Sequence, residues 1–120
     1  MMTDDICLLL EKSKKANSSI ISLPRCLILT LLSYFIDGIQ FRELQTSLNI
    51  SDGKLISNLN KLKELQYIEK AEEKINNKKI DVYTLTENGR KELKRIIEWM
   101  ELIKKVAKEG DEKCQLILTK

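Results

Sequence analysis

Between Ser51 and Ile68 the chain reads SDGKLISNLNKLKELQYI, with leucines at helical spacing on one side and Gly53, Lys54, Ser57, Asn58, Asn60 and Lys61 on the other. Glycine, serine and asparagine are poor helix formers, so a helix that only had to stay soluble would carry the Glu/Lys mixture used elsewhere in this chain. Their chemistry suggests contact instead. Amides and hydroxyls hydrogen-bond to base edges, and lysines reach phosphates or guanine. Gly53 removes bulk where the start of the helix would approach a nucleic-acid backbone.

A second group lies a few residues on. Asn76, Asn77, Lys78 and Lys79 form a turn-forming tip between two runs rich in extended-friendly residues, YIEKAEEKI and IDVYTLT. From Glu69 to Asp81 there are four lysines and four acids, so the hairpin is neutral as a whole. The acids gather mainly near its base and the lysines at the tip, which suits contact with phosphates or a minor groove. Arg42 and Gln45, just upstream, could touch the flanking backbone, and Arg90 a phosphate or the hairpin. Tyr83 reads as a packing residue of the sheet.

Catalytic chemistry finds little to work with. The chain has no histidine, and its three cysteines, Cys7, Cys26 and Cys114, are far apart and form no CxxC pair. Zinc-finger, zinc-hydrolase and Ser-His or Cys-His readings therefore lose their usual residues. With no nucleophile–base pair, metal cluster or glycine-rich phosphate loop, we expect a non-enzymatic protein without a cofactor. The cysteines read as small apolar groups in a reducing compartment, with an intersubunit disulfide through Cys7 or Cys114 as the alternative.

The elements that must position these groups follow from hydrophobic periodicity. The 120 residues suit one domain, 42% hydrophobic and 32% charged, with a net charge of +3 that implies nucleic acid only if the charges cluster. Asp4 to Lys15 reads as a helix with Ile6, Leu9 and Leu10 on one face and Leu8 widening it. ANSS, residues 16–19, reads as a loop. SLPR opens a second helix with Ser22 as N-cap and Pro24 in the first turn, and Leu27, Ile28, Leu31, Leu32 and Phe35 as its buried stripe. A brief extended IQ leads to a short helix, Phe41 to Leu48, with Phe41, Leu44 and Leu48 facing inward. NIS makes a tight turn, and Ser51 caps the helix whose Leu55, Leu59 and Leu62 share an inner face, Ile56 and Leu65 at its edges. After the hairpin, Thr86 caps a last helix expected to run to Glu109 and to stop at Gly110.

That last helix carries Leu93, Ile96, Ile97, Met100, Ile103 and Ala107 in one stripe, with Trp99, Leu102 and Val106 beside it. The apolar surface is too long for a small helical core to cover. Either the tail CQLIL folds back on it or a second copy of the chain does, joined by Ile6, Leu9 and Leu10 of the first helix. No segment approaches the ~20 apolar residues of a membrane span. The acidic start, MMTDDICLLLEK, does not read as a signal peptide, so a cytoplasmic protein with no membrane partner is expected.

The order of elements is mainly α with a small β-hairpin, an α+β winged helix-turn-helix flanked by an N-terminal helix and a long C-terminal one. The whole chain, 1–120, is read as one domain, with a winged core at 23–86, flanking dimerisation helices at 4–15 and 87–109, and a tail at 110–120. Here FRELQTSLNISDGKLISNLNKLKELQYIEK, followed by VYTLTENGRKEL, resembles the winged helix-turn-helix transcriptional regulators related to the MarR and PadR groups. Within these it is similar to a small archaeal and bacterial subgroup with a DG-x-L-x-x-x-L-x-x-L recognition helix and an LT-x-x-GR start to the last helix. The resemblance covers Phe41 to Leu93. It implies a cytoplasmic homodimer that binds double-stranded operator DNA and regulates transcription, more often as a repressor. It also leaves room for a small-molecule effector, for which no residue here specifies a ligand. Two positions depart from the family pattern: Gln66 stands where relatives have a glycine before the wing, so this helix is expected to end differently, and Lys54 stands where many have asparagine. A winged-helix protein-interaction module without specific DNA binding is the alternative function.

Overall fold

The computed structural model describes residues 4–15 and 22–118; the ANSS segment lies outside them. The elements in order are α1 (Asp4–Lys15), α2 (Leu23–Tyr34), β1 (Ile39–Gln40), α3 (Phe41–Leu48), α4 (Asp52–Glu64), β2 (Ile68–Ile75), β3 (Lys78–Leu85) and α5 (Glu87–Leu118). They fall into two compact units, Asn17–Leu93 and the combination of Met1–Ala16 with Lys94–Lys120. Helices dominate, and the three antiparallel strands are ordered β1-β3-β2. This is the winged helix-turn-helix expected from the pattern of elements.

In the larger unit, helices α2, α3 and α4 bury Ile28, Leu29, Leu32, Leu44, Leu55, Leu59 and Leu62 almost completely. The sheet adds Ile39, Ile68, Val82 and Tyr83. Burial raises the Tyr83 phenol above its usual range, and the Asp81 carboxylate raises it further. Tyr83 is thus the packing residue it was read to be. The α2 stripe is rotated from expectation. Leu29 is fully buried, while Leu27 and Phe35 stand out at 41% and 50% exposure. Alternative stripes one position apart are both available in a helix this apolar, and periodicity alone does not choose between them. Ser22 caps α2 by accepting the Arg25 amide at 3.4 Å, with Pro24 in the first turn.

Gln66 does not change how α4 ends. The Tyr67 amide donates to the Leu62 carbonyl at 3.0 Å and the Gln66 amide to Lys63 at 2.9 Å, the Schellman pair of hydrogen bonds. Gln66 adopts φ 64° to make them, a left-handed conformation that a glycine would hold without strain. The Thr86 hydroxyl then donates to the Gln66 carbonyl at 2.7 Å, and the oxygen of that hydroxyl accepts the Gly89 amide at 3.0 Å, capping α5. A Cβ on Gly89 would collide with the Tyr67 carbonyl oxygen. The LT-x-x-GR motif is therefore a clasp that fastens the end of α4 to the start of α5.

In the smaller unit α1 and α5 run antiparallel, as shown by the ion pairs Lys12–Glu98 at 3.5 Å and Asp5–Lys105 at 3.3 Å. The expected stop at Gly110 is not there. Helix α5 continues through it to Leu118, so CQLIL extends the helix and does not fold back. One glycine costs a helix only about 1 kcal/mol relative to alanine, too little to end one flanked by good helix formers. Of the residues expected to meet a second chain, Leu93 and Ile96 are instead buried at 9% and 5% exposure and have little surface to offer. Ile97, Met100, Ile103 and Leu10 remain substantially exposed, and Ile6, Leu9 and Val106 are half-buried. No helix among the described residues is long and apolar enough to cross a membrane.

Candidate nucleic-acid interface

The turn Asn49–Ser51 separates α3 from α4. Asn49 takes φ 52°, a left-handed conformation that its short amide tolerates, and its amide closes α3 on the Gln45 carbonyl at 2.9 Å. Ser51 then opens α4 by accepting the Lys54 amide at 3.2 Å. Three leucines, Leu55, Leu59 and Leu62, at 0–1% exposure, hold the inner face of α4. Its outer face is left to solvent.

That outer face holds Gly53, Lys54, Ser57 and Asn60, all exposed, with Lys61 half-exposed beside them. Nothing lies within 4 Å of where a Gly53 side chain would begin, so the helix start can be approached closely. Lys61 also lies 3.9 Å from Glu64, a surface pair one turn on that a phosphate could displace. The pattern puts Ile56 at the edge of the inner face, but it is 48% exposed. It sits one turn from both Asp52 and Asn60, so the outward face contains an apolar group that sequence reading missed. Its i±4 relation to Asp52 and Asn60 was the available signal.

Asn58 is the correction on this helix. Its polarity groups it with the outward residues, yet it is buried at 9% exposure. The positions 55, 58, 59 and 62 share a stripe at helical spacing, and an asparagine on it is hidden wherever a partner satisfies its amide. Here the Arg25 Nε–H donates to Oδ1 at 2.9 Å, and Nδ2 donates to the Lys54 carbonyl at 2.9 Å. Beside Arg25, burial raises the Cys26 thiol above its usual range, against a smaller lowering effect of its hydrogen bond with the Ser22 backbone. Cys7 and Cys114 are exposed free thiols.

Arg42 and Gln45 of α3 find each other: Arg42 Nη1 donates to Gln45 Oε1 at 2.6 Å and lies 3.7 Å from Asp52. The Arg42 side chain keeps 72% of its exposure and remains available to a backbone phosphate.

In the hairpin, Ile75 pairs with Lys78, leaving Asn76 and Asn77 as a two-residue turn with φ 52° and 66°. Two positive φ values define a type I′ turn, which the asparagine pair accepts readily. Lys78 and Lys79 thus stand on β3 and not in the turn itself. Lys79 lies directly opposite Lys74, and Glu72 directly opposite Asp81. Like charges facing across a ladder are unfavourable. The result is a basic end and an acidic stem on one ribbon, with residues 69–79 all exposed. A hollow of about 490 Å³ between the end of α4 and the start of α5 is lined by Lys63, Gln66, Ile68, Glu69, Thr86, Glu87 and Asn88, an open polar surface. No cluster of three or more His, Cys, Asp or Glu residues among those described could hold a metal ion.

The chain matches, over residues 25–103, a family described as the winged helix DNA-binding domain. No curated relative matches the sequence. Among solved structures, a transcriptional regulator homologue from Pyrococcus horikoshii OT3 is 21% identical, aligning over 91% of this chain and 99% of its own with a TM-score of 0.65. A MepR–DNA complex from S. aureus is 13% identical over 94% of this chain and 92% of its own, with a TM-score of 0.65. The zinc-responsive MarR family member ZitR from Lactococcus lactis is 18% identical over 82% of this chain and 69% of its own, with a TM-score of 0.56. At these identities the likeness is one of fold.

Proposed function

The chain belongs to the winged helix DNA-binding domain family, and from that premise we propose that it is a sequence-specific regulator of transcription. The observation that carries this reading is the outward face of α4: Gly53, Lys54, Ser57 and Asn60 exposed together, directly after a tight turn, on a helix held by fully buried leucines. In the proposed complex this face enters the major groove, where Asn60 and Ser57 meet base edges and Lys54 and Lys61 meet guanine or phosphate. The basic end of the hairpin lies along the adjacent backbone or minor groove. The shared fold with a MepR–DNA complex supports this arrangement.

The regulator acts as a cytoplasmic homodimer of the MarR/PadR-like type and represses by occupying an operator. Ile97, Met100 and Ile103 of α5, at 38–47% exposure, form the seam with help from Leu10. Two copies would place their α4 helices on half-sites about 34–36 Å apart or a multiple of that. In a two-fold seam each residue meets its own patch, so Ile97→Glu or Ile103→Glu introduces two charges per dimer. Sedimentation should show dimers for the parent and monomers or aggregates for either variant. A parent that stays monomeric at tens of micromolar would refute the dimer.

One observation favours a second reading. The hairpin is neutral over Glu69–Asp81 and Arg42 faces Asp52, so the surface is weakly basic for a DNA binder and would suit a protein-interaction module. Electrophoretic shift on mixed-sequence duplex at ~50 mM salt, where non-specific binding is strong, decides between them. Binding supports the regulator, and its absence supports the module. Selection from a randomised duplex library then tests sequence specificity.

A further inference from the structure

Asn58 is an unexpected residue to find on the inner stripe of α4. The neighbouring positions Leu55, Leu59 and Leu62 are at 0–1% exposure, and a fourth leucine would fit both the burial and the helix propensity better. Asn58 uses both ends of its amide. Oδ1 accepts from Arg25 Nε at 2.9 Å, and Nδ2 donates to the Lys54 carbonyl at 2.9 Å. That carbonyl belongs to the turn that presents Gly53, Lys54 and Ser57.

Arg25 is itself well seated. Its backbone amide donates to the Ser22 hydroxyl, and Pro24 stiffens the same turn of α2. Ile28, Leu29 and Leu32, all at 0% exposure, fix α2 in the core. Apolar packing fills volume but is not directional, so leucines alone let a helix roll or slide by small amounts. A guanidinium N–H aimed at an amide oxygen is directional and resists that movement. A buried polar group can fix the register of a helix while adding little stability, as a single buried asparagine does in coiled coils.

We infer that Arg25 and Asn58 are positioning residues for the reading face: Arg25, from the start of α2, sets the roll of the first two turns of α4 through the Asn58 amide, and so tunes which sequences are bound without touching a base. The inference rests on the DNA-binding reading for its consequence, but its mechanical part concerns the free protein.

The test uses Arg25→Met, which keeps the aliphatic stem and removes the donor, Asn58→Ala, and the double variant. Affinity is measured against salt for a duplex selected by the parent from a randomised library and for a mixed-sequence duplex. Amide hydrogen exchange of residues 53–61 is measured without DNA. Arg25→Met should lower the selected-to-mixed affinity ratio by roughly tenfold, as coupling through a contact network does, and leave the salt slope unchanged. Asn58→Ala should do the same, the double variant no worse, and all three should speed exchange in α4. A salt slope shallower by about one with an unchanged ratio would make Arg25 a phosphate contact and overturn the inference. Additive losses in the double variant, or unchanged exchange in α4, would also overturn it. If selection enriches no sequence, the proposed function fails, and exchange in the free protein still decides whether Arg25 holds α4.

Discussion

Helix α4 and the β2–β3 hairpin both offer polar side chains to solvent, yet they are built in opposite ways. The helix rests on Leu55, Leu59 and Leu62, all fully buried, and is clasped at its end by Gln66, Thr86 and Gly89. The hairpin is anchored near its base by Ile68, Val82 and Tyr83, and every residue from 69 to 79 is exposed. A hydrogen bond to a base edge tolerates only a few tenths of an ångström of misplacement, whereas attraction to a phosphate falls off slowly. The rigid element is therefore suited to reading sequence, and the free-standing one to supplying charge.

The largest expected effect tests the platform. Leu59→Ala should cost about 2–5 kcal/mol of stability, because the cavity opens under a tightly packed helix. Ile75→Ala, near the hairpin end, should stay within about 0.5 kcal/mol, as surface changes do. Urea denaturation measures both, and equal losses would mean that the hairpin is as firmly packed as the helix.

Charge on the hairpin should appear in salt dependence more than in specificity. Changing Lys78 and Lys79 together to alanine should weaken binding to all duplexes alike and make log K less steep in log salt by about 2 per wing. A loss confined to the selected duplex would make these lysines readers of bases. A smaller effect concerns the clasp. Gln66→Gly should stabilise the protein by about 0.5–1 kcal/mol, relief of the left-handed strain outweighing the added backbone freedom of glycine. Destabilisation would mean that the Gln66 side chain contributes more than its backbone does.

Most of the elements were legible because local signals agreed. Ser22, Ser51 and Thr86 are caps, Asn76-Asn77 makes a turn, and the leucines of α4 repeat at one period. What was misread lay where a distant partner decides. Asn58 is polar and reads as exposed, but its amide is satisfied by the Lys54 carbonyl and by Arg25, 33 residues upstream, and the second partner is not visible in local sequence. Leu29 and Leu27 are equivalent by composition, and packing selects the first. Gly110 carries a stop signal, but the residues on both sides of it favour helix. At the interface the sequence pointed to Gly53, Lys54, Ser57 and Asn60 on α4, all of them exposed in the structure, but not to Ile56, whose apolar side chain outweighed the i±4 spacing that sets it with Asp52 and Asn60.

The proposed role depends on whether the outward face of α4 reads bases. Salt titrations of affinity for the selected and mixed-sequence duplexes, with the parent and Asn60→Ala, test it most directly. Asn60→Ala should lose about 1–3 kcal/mol on the selected duplex and much less on mixed sequence, with an unchanged salt slope. Equal losses on both duplexes would contradict it.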